Sequence, residues 1–402
     1  LTSRGSEFSA FALRCNINVL RVETRKVQSA PTEMPVTVAT SGHSGGDMLV
    51  LQIIESFGSG TLQVVSTLVH ATHAKGWQTV VFHGMREETP ENFPAMFPDG
   101  TRFIPLKTGR SINGIWDLAD ALKIADYARK HKAALIHGHS SKGGALARAA
   151  ALFSGRPALY TPHGFSFLTE KGPSKRKLTY WLEKGLGLLP SAIVCCSDSE
   201  AKMARLFSRD VSVVPNFIDS EALAAVVNLT DAPDCDIVMA GRISTQKNAP
   251  LFMATAARLP GYRFVWLGGP ESVLESPPPA NVEISGWVAR ETALKRMAKA
   301  KIYLSTSRYE GMPIAMLEAQ ALGLPVVSTR VLGSQDIVVD DVNGRFADTA
   351  EEMAETIEAL LSDETLRTRY GRQAREILAT KHNPEVLIGE WMRIYQVNAR
   401  AA

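Results

Sequence analysis

Short apolar runs alternate along this chain with longer stretches whose apolar residues recur every three or four positions. Residues 49–54 form an apolar run suited to a central strand covered on both faces. Leu62, Val65, Leu68 and Val69 then follow helical spacing. Residues 77–83, 102–106, 133–137, 158–161, 192–196 and 211–214 read as further strands. Between them, residues 112–130 carry apolar side chains at 115, 118, 122 and 125, which predicts a surface helix. Residues 198–207 form another helix, and an Ala-rich helix follows Lys142. The alternation restarts with strands at 237–240, 264–267, 282–284, 301–304 and 325–328. Strand, helix and strand repeated twice over predict an α/β protein with parallel sheets.

The sharpest unit lies within residues 301–329. A buried strand is followed by a loop, and Pro313 suits the first helical position, where its missing N–H is no loss. Ile314, Leu317 and Ala321 give the helix a core face, Gly323 suits its stop, and Pro325 bars its continuation. Gly311 lets a ligand approach the backbone. The N–H groups of Met312, Ile314 and Ala315 sit at the positive helix end, which suits a phosphate. Glu310 and Glu318 can each accept two hydroxyl hydrogens at once, as a sugar diol requires.

The length of 402 residues fits two domains. A hydrophobic content of 45% fills two cores, and a net charge of +3 is too small to argue for nucleic acid. No apolar run is long enough to span a membrane. Cys15, Cys195, Cys196 and Cys235 lack zinc or disulfide spacing, which suits core residues in a reducing cytosol. Residues 1–47 fit the rest poorly: Gly5-Ser6-Glu7-Phe8 resembles a vector-derived linker, so a leader or extension is expected, with a genuine extra element as the alternative.

Other chemistry sits at strand ends. Gly58 and Gly60 make a Gly-rich strand-to-helix turn that can receive an anion or simply let the helix pack. His137 and His139 alternate onto one side if their strand persists; a metal pair is conceivable, but no nearby carboxylate or Cys completes it. His163 follows a strand, at the edge where open parallel sheets gather ligands. Gly241 permits close approach, Arg242 offers a planar donor fork and Lys247 a point charge, both suited to a diphosphate. Gly268 is another backbone approach point. From Lys171 to Leu189, basic residues precede Leu178, Trp181, Leu182 and Leu186; an amphipathic helix packed on the sheet and one resting on an anionic membrane both fit.

These motifs together resemble the retaining nucleotide-sugar glycosyltransferases of family 4. Glu310 and Glu318 stand as its Glu-x7-Glu signature, Gly241-Arg242 with Lys247 as its donor motif, and Thr161-Pro162-His163-Gly164 as its loop beside the sugar's reacting end. The resemblance covers residues 49–397 and implies a GT-B fold, two Rossmann-like doubly wound domains facing across a cleft. The expected division is 48–215 on the acceptor side, a linker at 216–234, a donor-binding domain at 235–383, and a helix at 384–402 crossing back. It further implies that Glu310 contacts the donor sugar, Glu318 the ribose, and Val288 or Trp287 the base. His139, Lys142 and Phe165 would lie on the acceptor side. Phe217 replaces the Gly of the family's Pro-Asn-Gly turn, and Gly333-Ser334-Gln335-Asp336 departs from its Gly-Gly-x-x-Glu.

The expected activity is transfer of a sugar from a nucleotide diphosphate donor to a carbohydrate or lipid-linked hydroxyl, without metal or cofactor. Arg242 and Lys247 would neutralise the departing diphosphate, with His163 and Glu310 at the sugar. The expected setting is the cytoplasm, at or near the inner membrane face, in polysaccharide or glycolipid assembly. A sugar phosphorylase or epimerase on the same fold, or a non-catalytic nucleotide-sugar binder, are the alternatives.

Overall fold

The computed structural model describes residues 48–109, 113–169, 172–227, 234–270, 274 and 276–400. The expectations for residues 1–47, for Lys171 and for residues 228–233 of the linker lie outside the described residues. The first sheet contains β1 (Leu49–Ile54), β2 (Gln78–His83), β3 (Arg102–Pro105), β4 (Leu135–His139), β5 (Ala158–Thr161), β6 (Ala192–Cys195) and β7 (Val211–Val213). Between and after these strands lie α1 (Ser59–Ala74), α2 (Gly114–Lys130), α3 (Ser140–Ser154), α4 (Ser166–Thr169), α5 (Pro173–Leu186), α6 (Asp198–Ala204) and α7 (Ser220–Val226). Strand order is β3-β2-β1-β4-β5-β6-β7, all parallel.

The second sheet contains β8 (Ile237–Ala240), β9 (Phe264–Leu267), β10 (Val282–Ile284), β11 (Ile302–Ser305), β12 (Val326–Ser328) and β13 (Gly344–Phe346). Its helices are α8 (Ala249–Arg258), α9 (Arg290–Met297), α10 (Ile314–Ala321), α11 (Ala350–Ser362), α12 (Glu364–Lys381) and α13 (Pro384–Arg400). The order β10-β9-β8-β11-β12-β13 is again parallel, and it is the doubly wound order of a dinucleotide-type fold. Apolar runs become strands because both sheet faces are covered. Ile237 and Met239 enter one core cluster while Val238 and Ala240 enter the other.

In both sheets the order reverses at a central strand pair, β1 with β4 and β8 with β11. Ligands of open sheets bind beyond the carboxyl ends at such a point. The chain crosses between the lobes twice. At the first crossing Asn216 donates its side-chain amide to the Met312 carbonyl at 2.8 Å. At the second, His382 Nδ1 lies 2.7 Å from the Asn216 carbonyl oxygen. Helix α13 then buries Trp391, Met392, Ile394 and Tyr395 in the same cluster as Val50, Leu68 and Leu135 of the first lobe.

Four expectations need revision. On α2 the expected row splits: Ile115, Leu118 and Leu122 are exposed, whereas its fourth member Ala125 is buried with Ala121, Ile124 and Ala128, because small residues let the helix sit close to its neighbours. On α5 Leu178, Trp181 and Leu182 do not pack on the sheet either: they are exposed, Tyr180 alone among the described residues of the helix reaches the aromatic core, and the buried residue is Glu183. Its carboxylate holds Arg148 at 2.9 Å and accepts from the Tyr160 hydroxyl at 2.9 Å, so the helix is seated by a buried polar cluster instead. Pro313 is the residue before α10 rather than its first residue, with ψ at 115°. Phe217 is not among the residues with positive φ, so this turn has no need of a glycine.

Candidate active site

The loops after β8 and β11 meet because the two strands are neighbours. Lys247 Nζ donates to Glu310 Oε1 at 2.8 Å, and Ser307 Oγ donates to the same oxygen at 2.6 Å. Gln246 Nε2 reaches Glu310 Oε2 at 3.2 Å. The Glu310 carboxylate is buried, and three of its roughly four lone-pair sites are occupied. Gly241 has φ of 135°, and a Cβ there would stand 2.8 Å from Lys247 Cε, so glycine keeps the lysine stem in place. Gly268 serves packing: its Cβ position falls on the Gly241 carbonyl oxygen.

The start of α10 faces the first lobe across the cleft. By helix geometry the Ile314 and Ala315 N–H groups have no intrahelical acceptor, and they carry the positive end of the helix dipole. Met312 turns its carbonyl and sulfur to Asn216, so the loop ahead of the helix is fixed by the first crossing. A Cβ on Gly311 would lie 2.8 Å from the His163 carbonyl carbon, and one on Gly60 would lie 3.2 Å from Ile314 Cγ1. Arg242 Nη1 pairs across the cleft with Glu88 Oε1 at 3.2 Å, and Glu88 also fills the space beside Gly58. Glu318 is held by Arg290 at 2.6 Å. Burial pushes the Glu318 carboxyl above its ordinary range, and the Arg290 charge pulls it back. Val288 is half-buried beside the exposed Trp287.

His163 sits in a left-handed backbone conformation, φ 53°, with the Gly164 N–H held at 2.6 Å by the buried carboxylate of Glu200. Burial pushes its imidazole down to about 4, and burial also lowers those of His137 and His139. All three are therefore neutral at pH 7, which fixes the polarity of a hydrogen-bond chain. Gln52 Nε2 donates to the Tyr395 hydroxyl at 3.0 Å, and Gln52 Oε1 accepts from His139 Nε2 at 2.8 Å. The other nitrogen of His139 then accepts, so His163 Nε2 donates to His139 Nδ1 at 3.1 Å. The tautomer that results leaves His163 Nδ1 as an acceptor.

Two acceptor-side expectations, those for His139 and Phe165, are corrected. His139 is fully buried behind His163 and reaches the cleft only through it. Phe165 is fully buried among Tyr160, Phe167 and Phe207, in an aromatic core. Lys142 pairs with Asp117 at 3.0 Å and donates to the Gly109 carbonyl at 2.5 Å, fastening α3 to the stretch ahead of α2. Strand β4 does persist to His139, so His137 and His139 share a side with rings 4.0 Å apart. Their four ring nitrogens all face protein partners, and no group of three potential ligands gathers among the described residues.

Comparison with known proteins identifies the family of the chain. Residues 58–222 match the family model described as Glycosyltransferase Family 4, and residues 225–377 match the one described as Glycosyl transferases group 1. The two models lie end to end and between them take in both sheets apart from β1. The chain is a family 4 glycosyltransferase. Its relatives include an Escherichia coli UDP-Gal:alpha-D-GlcNAc-diphosphoundecaprenol alpha-1,3-galactosyltransferase, 29% identical over 58% of this chain and 67% of that protein. The fold matches the GT-B glycosyltransferases. Sucrose-phosphate synthase from Thermosynechococcus elongatus superposes with a TM-score of 0.72 at 19% identity, over 89% of this chain and 100% of the other. Anabaena HepE, solved in complex with UDP and glucose, gives 0.69 at 16% identity, over 87% of this chain and 100% of the other.

Several residues around the glycosyltransferase cleft escaped the sequence reading. Ser307 and Gln246 adjoin residues already singled out, so their segments carried a signal. Glu88 and Arg290, which neutralise Arg242 and Glu318, lie in polar stretches with no distinguishing pattern. Gln52 and Tyr395 read as strand and helix core positions, and only the packing of α13 on the first lobe brings them together.

Proposed function

We propose that this glycosyltransferase moves a sugar, with retained configuration and without a metal, from a nucleotide diphosphate donor to a hydroxyl of a carbohydrate or lipid-linked acceptor. The observation that carries the reading is the Lys247–Glu310 pair lying beside the start of α10. Donor binding redistributes it: the diphosphate takes Lys247, Arg242 and the Ile314 and Ala315 amides, and Glu310 turns its freed oxygen to a sugar hydroxyl. Glu318 takes the ribose hydroxyls, sharing its carboxylate with Arg290, and the Trp287–Val288 segment borders the base. His163 Nδ1 accepts from a sugar hydroxyl.

In the transfer step the acceptor oxygen bonds to the anomeric carbon on the face from which the diphosphate departs. The bond from that carbon to the diphosphate oxygen breaks, and its electron pair stays with the diphosphate. The acceptor's hydroxyl proton passes to the departing phosphate oxygen. Lys247, Arg242 and the helix start stabilise the growing negative charge, the task a metal performs elsewhere. The likeness to lipid-linked galactosyl transfer in the Escherichia coli relative supports work in polysaccharide or glycolipid assembly. The exposed Leu178, Trp181 and Leu182 on α5 support contact with the cytoplasmic membrane surface. No helix among the described residues is long and apolar enough to cross a membrane.

A thermal-shift screen of nucleoside diphosphate sugars tests the reading, because a ligand specific to the native state raises the unfolding midpoint. The expected result is a shift with one or a few nucleotides that Lys247→Ala abolishes. A shift of equal size in that variant overturns the assignment.

A further inference from the structure

A second cavity, of about 690 Å³, opens between the lobes beside the proposed donor site. Four cations line it, Arg176 and Lys177 from α5 and Arg308 and Arg330 from the second lobe, together with Phe167 and Tyr180; among the described residues no carboxylate lines it. Among the described residues no ion pair engages Arg176, Lys177 or Arg308. Arg308 donates instead to the Asn248 side chain at 3.0 Å, and Arg330 keeps a partner in the exposed Asp340 at 3.2 Å. Four converging positive side chains repel one another unless an anion joins them, and a guanidinium fork suits a phosphate.

The rest of the lining is largely apolar, which a purely ionic ligand would not use. That character continues outside the cavity. Leu178 and Trp181 each follow a lining residue of α5 by one position, and they are exposed. The lining also includes Tyr309, the residue before Glu310, so whatever lies there is next to the proposed point of transfer. An anion-binding centre with an apolar exit along α5 has the shape of an amphiphile's phosphate head and its tail.

We infer that this cavity is the acceptor site and that the acceptor is a sugar carried on a phosphate-bearing lipid, its phosphates held by Arg176, Lys177, Arg308 and Arg330 and its chain leaving past Trp181. The inference rests on the glycosyl-transfer reading and names its second substrate. It also gives the exposed face of α5 a role, that of leading the lipid from the membrane into the cleft.

Binding of farnesyl diphosphate, farnesol and inorganic pyrophosphate to the full chain, followed by calorimetry with the nucleotide that gives the thermal shift held at saturation, tests this. The expected result is that farnesyl diphosphate binds at least tenfold more tightly than either farnesol or pyrophosphate, since each lacks one half of the ligand. Arg176→Glu with Lys177→Glu, and separately Arg308→Gln, should weaken it at least tenfold and leave the nucleotide shift unchanged. Equal affinity for pyrophosphate overturns the inference in favour of a soluble anionic acceptor. Equal affinity for farnesol, or undiminished binding in both variants, overturns it in favour of apolar contact elsewhere. Absence of any nucleotide shift counts against the donor reading instead, and the farnesyl diphosphate comparison is then run without nucleotide and judged by the same variants.

Discussion

The buried histidines make stability depend on acid in a calculable way. His163 falls from 6.5 in the unfolded chain to about 4 in the fold because burial opposes its charged form. Below pH 6.5 the unfolded state therefore binds a proton that the native state refuses. Stability from this group is complete above pH 6.5, falls with the pH by about 1.4 kcal/mol per pH unit, and is spent near pH 4. The full loss is about 3 kcal/mol, a large share of a typical folding free energy of about 5–15 kcal/mol. His137 and His139 act in the same direction. Glu200 and Glu318, whose carboxyls burial pushes upward, act in the opposite direction, so the wild-type curve alone mixes several groups. His163→Asn separates them, and asparagine tolerates the left-handed backbone at this position. Urea unfolding followed by tryptophan fluorescence, from about pH 7.5 to about pH 4.5, would compare the two proteins. The difference in their stability should shrink by about 2–3 kcal/mol across that window. A difference constant to about 0.5 kcal/mol would refute a neutral, acid-resistant His163.

Glu310→Gln should lower transfer at least about 100-fold, the usual scale for one electrostatic contact at a reacting centre, and near-normal turnover would remove Glu310 from the reaction. The variant should stay folded but less stable by about 3 kcal/mol, because Lys247 is left largely buried beside a neutral amide. Turnover should survive a strong chelator, and NMR of the product should show the donor's anomeric configuration; loss of activity with chelator or an inverted product would each contradict the proposed route. Tyr395→Phe should cost about 1–3 kcal/mol, since it strips a partner from both Gln52 and His137, and an unchanged unfolding midpoint would show that the chain of hydrogen bonds is not coupled.

The lobes were legible because apolar strands covered on both faces leave unbroken runs, and because Gly311, Pro313 and Gly323 punctuate α10 where its backbone needs them. The charged residues were legible as individuals and not as pairs. Lys247 and Glu310 lie 63 positions apart, and their meeting depends on β8 and β11 being neighbours, which no local pattern states. The row at 115, 118 and 122 misled because spacing gives a helix its stripes without saying which stripe faces inward. On α2 the alanines allow the closer approach and win the inner position. His139 and Phe165 misled for a related reason: proximity in sequence to a site residue places the backbone nearby and leaves the side chain free to point into the core.

The bond between His382 and the Asn216 carbonyl joins the two strands of chain that pass from one lobe to the other. Two passages fastened at one point resist the sliding of one half past the other better than a single passage would. Loosening that fastening at residue 382 should blur where Arg242 meets Glu88 across the cleft without altering either gripping surface.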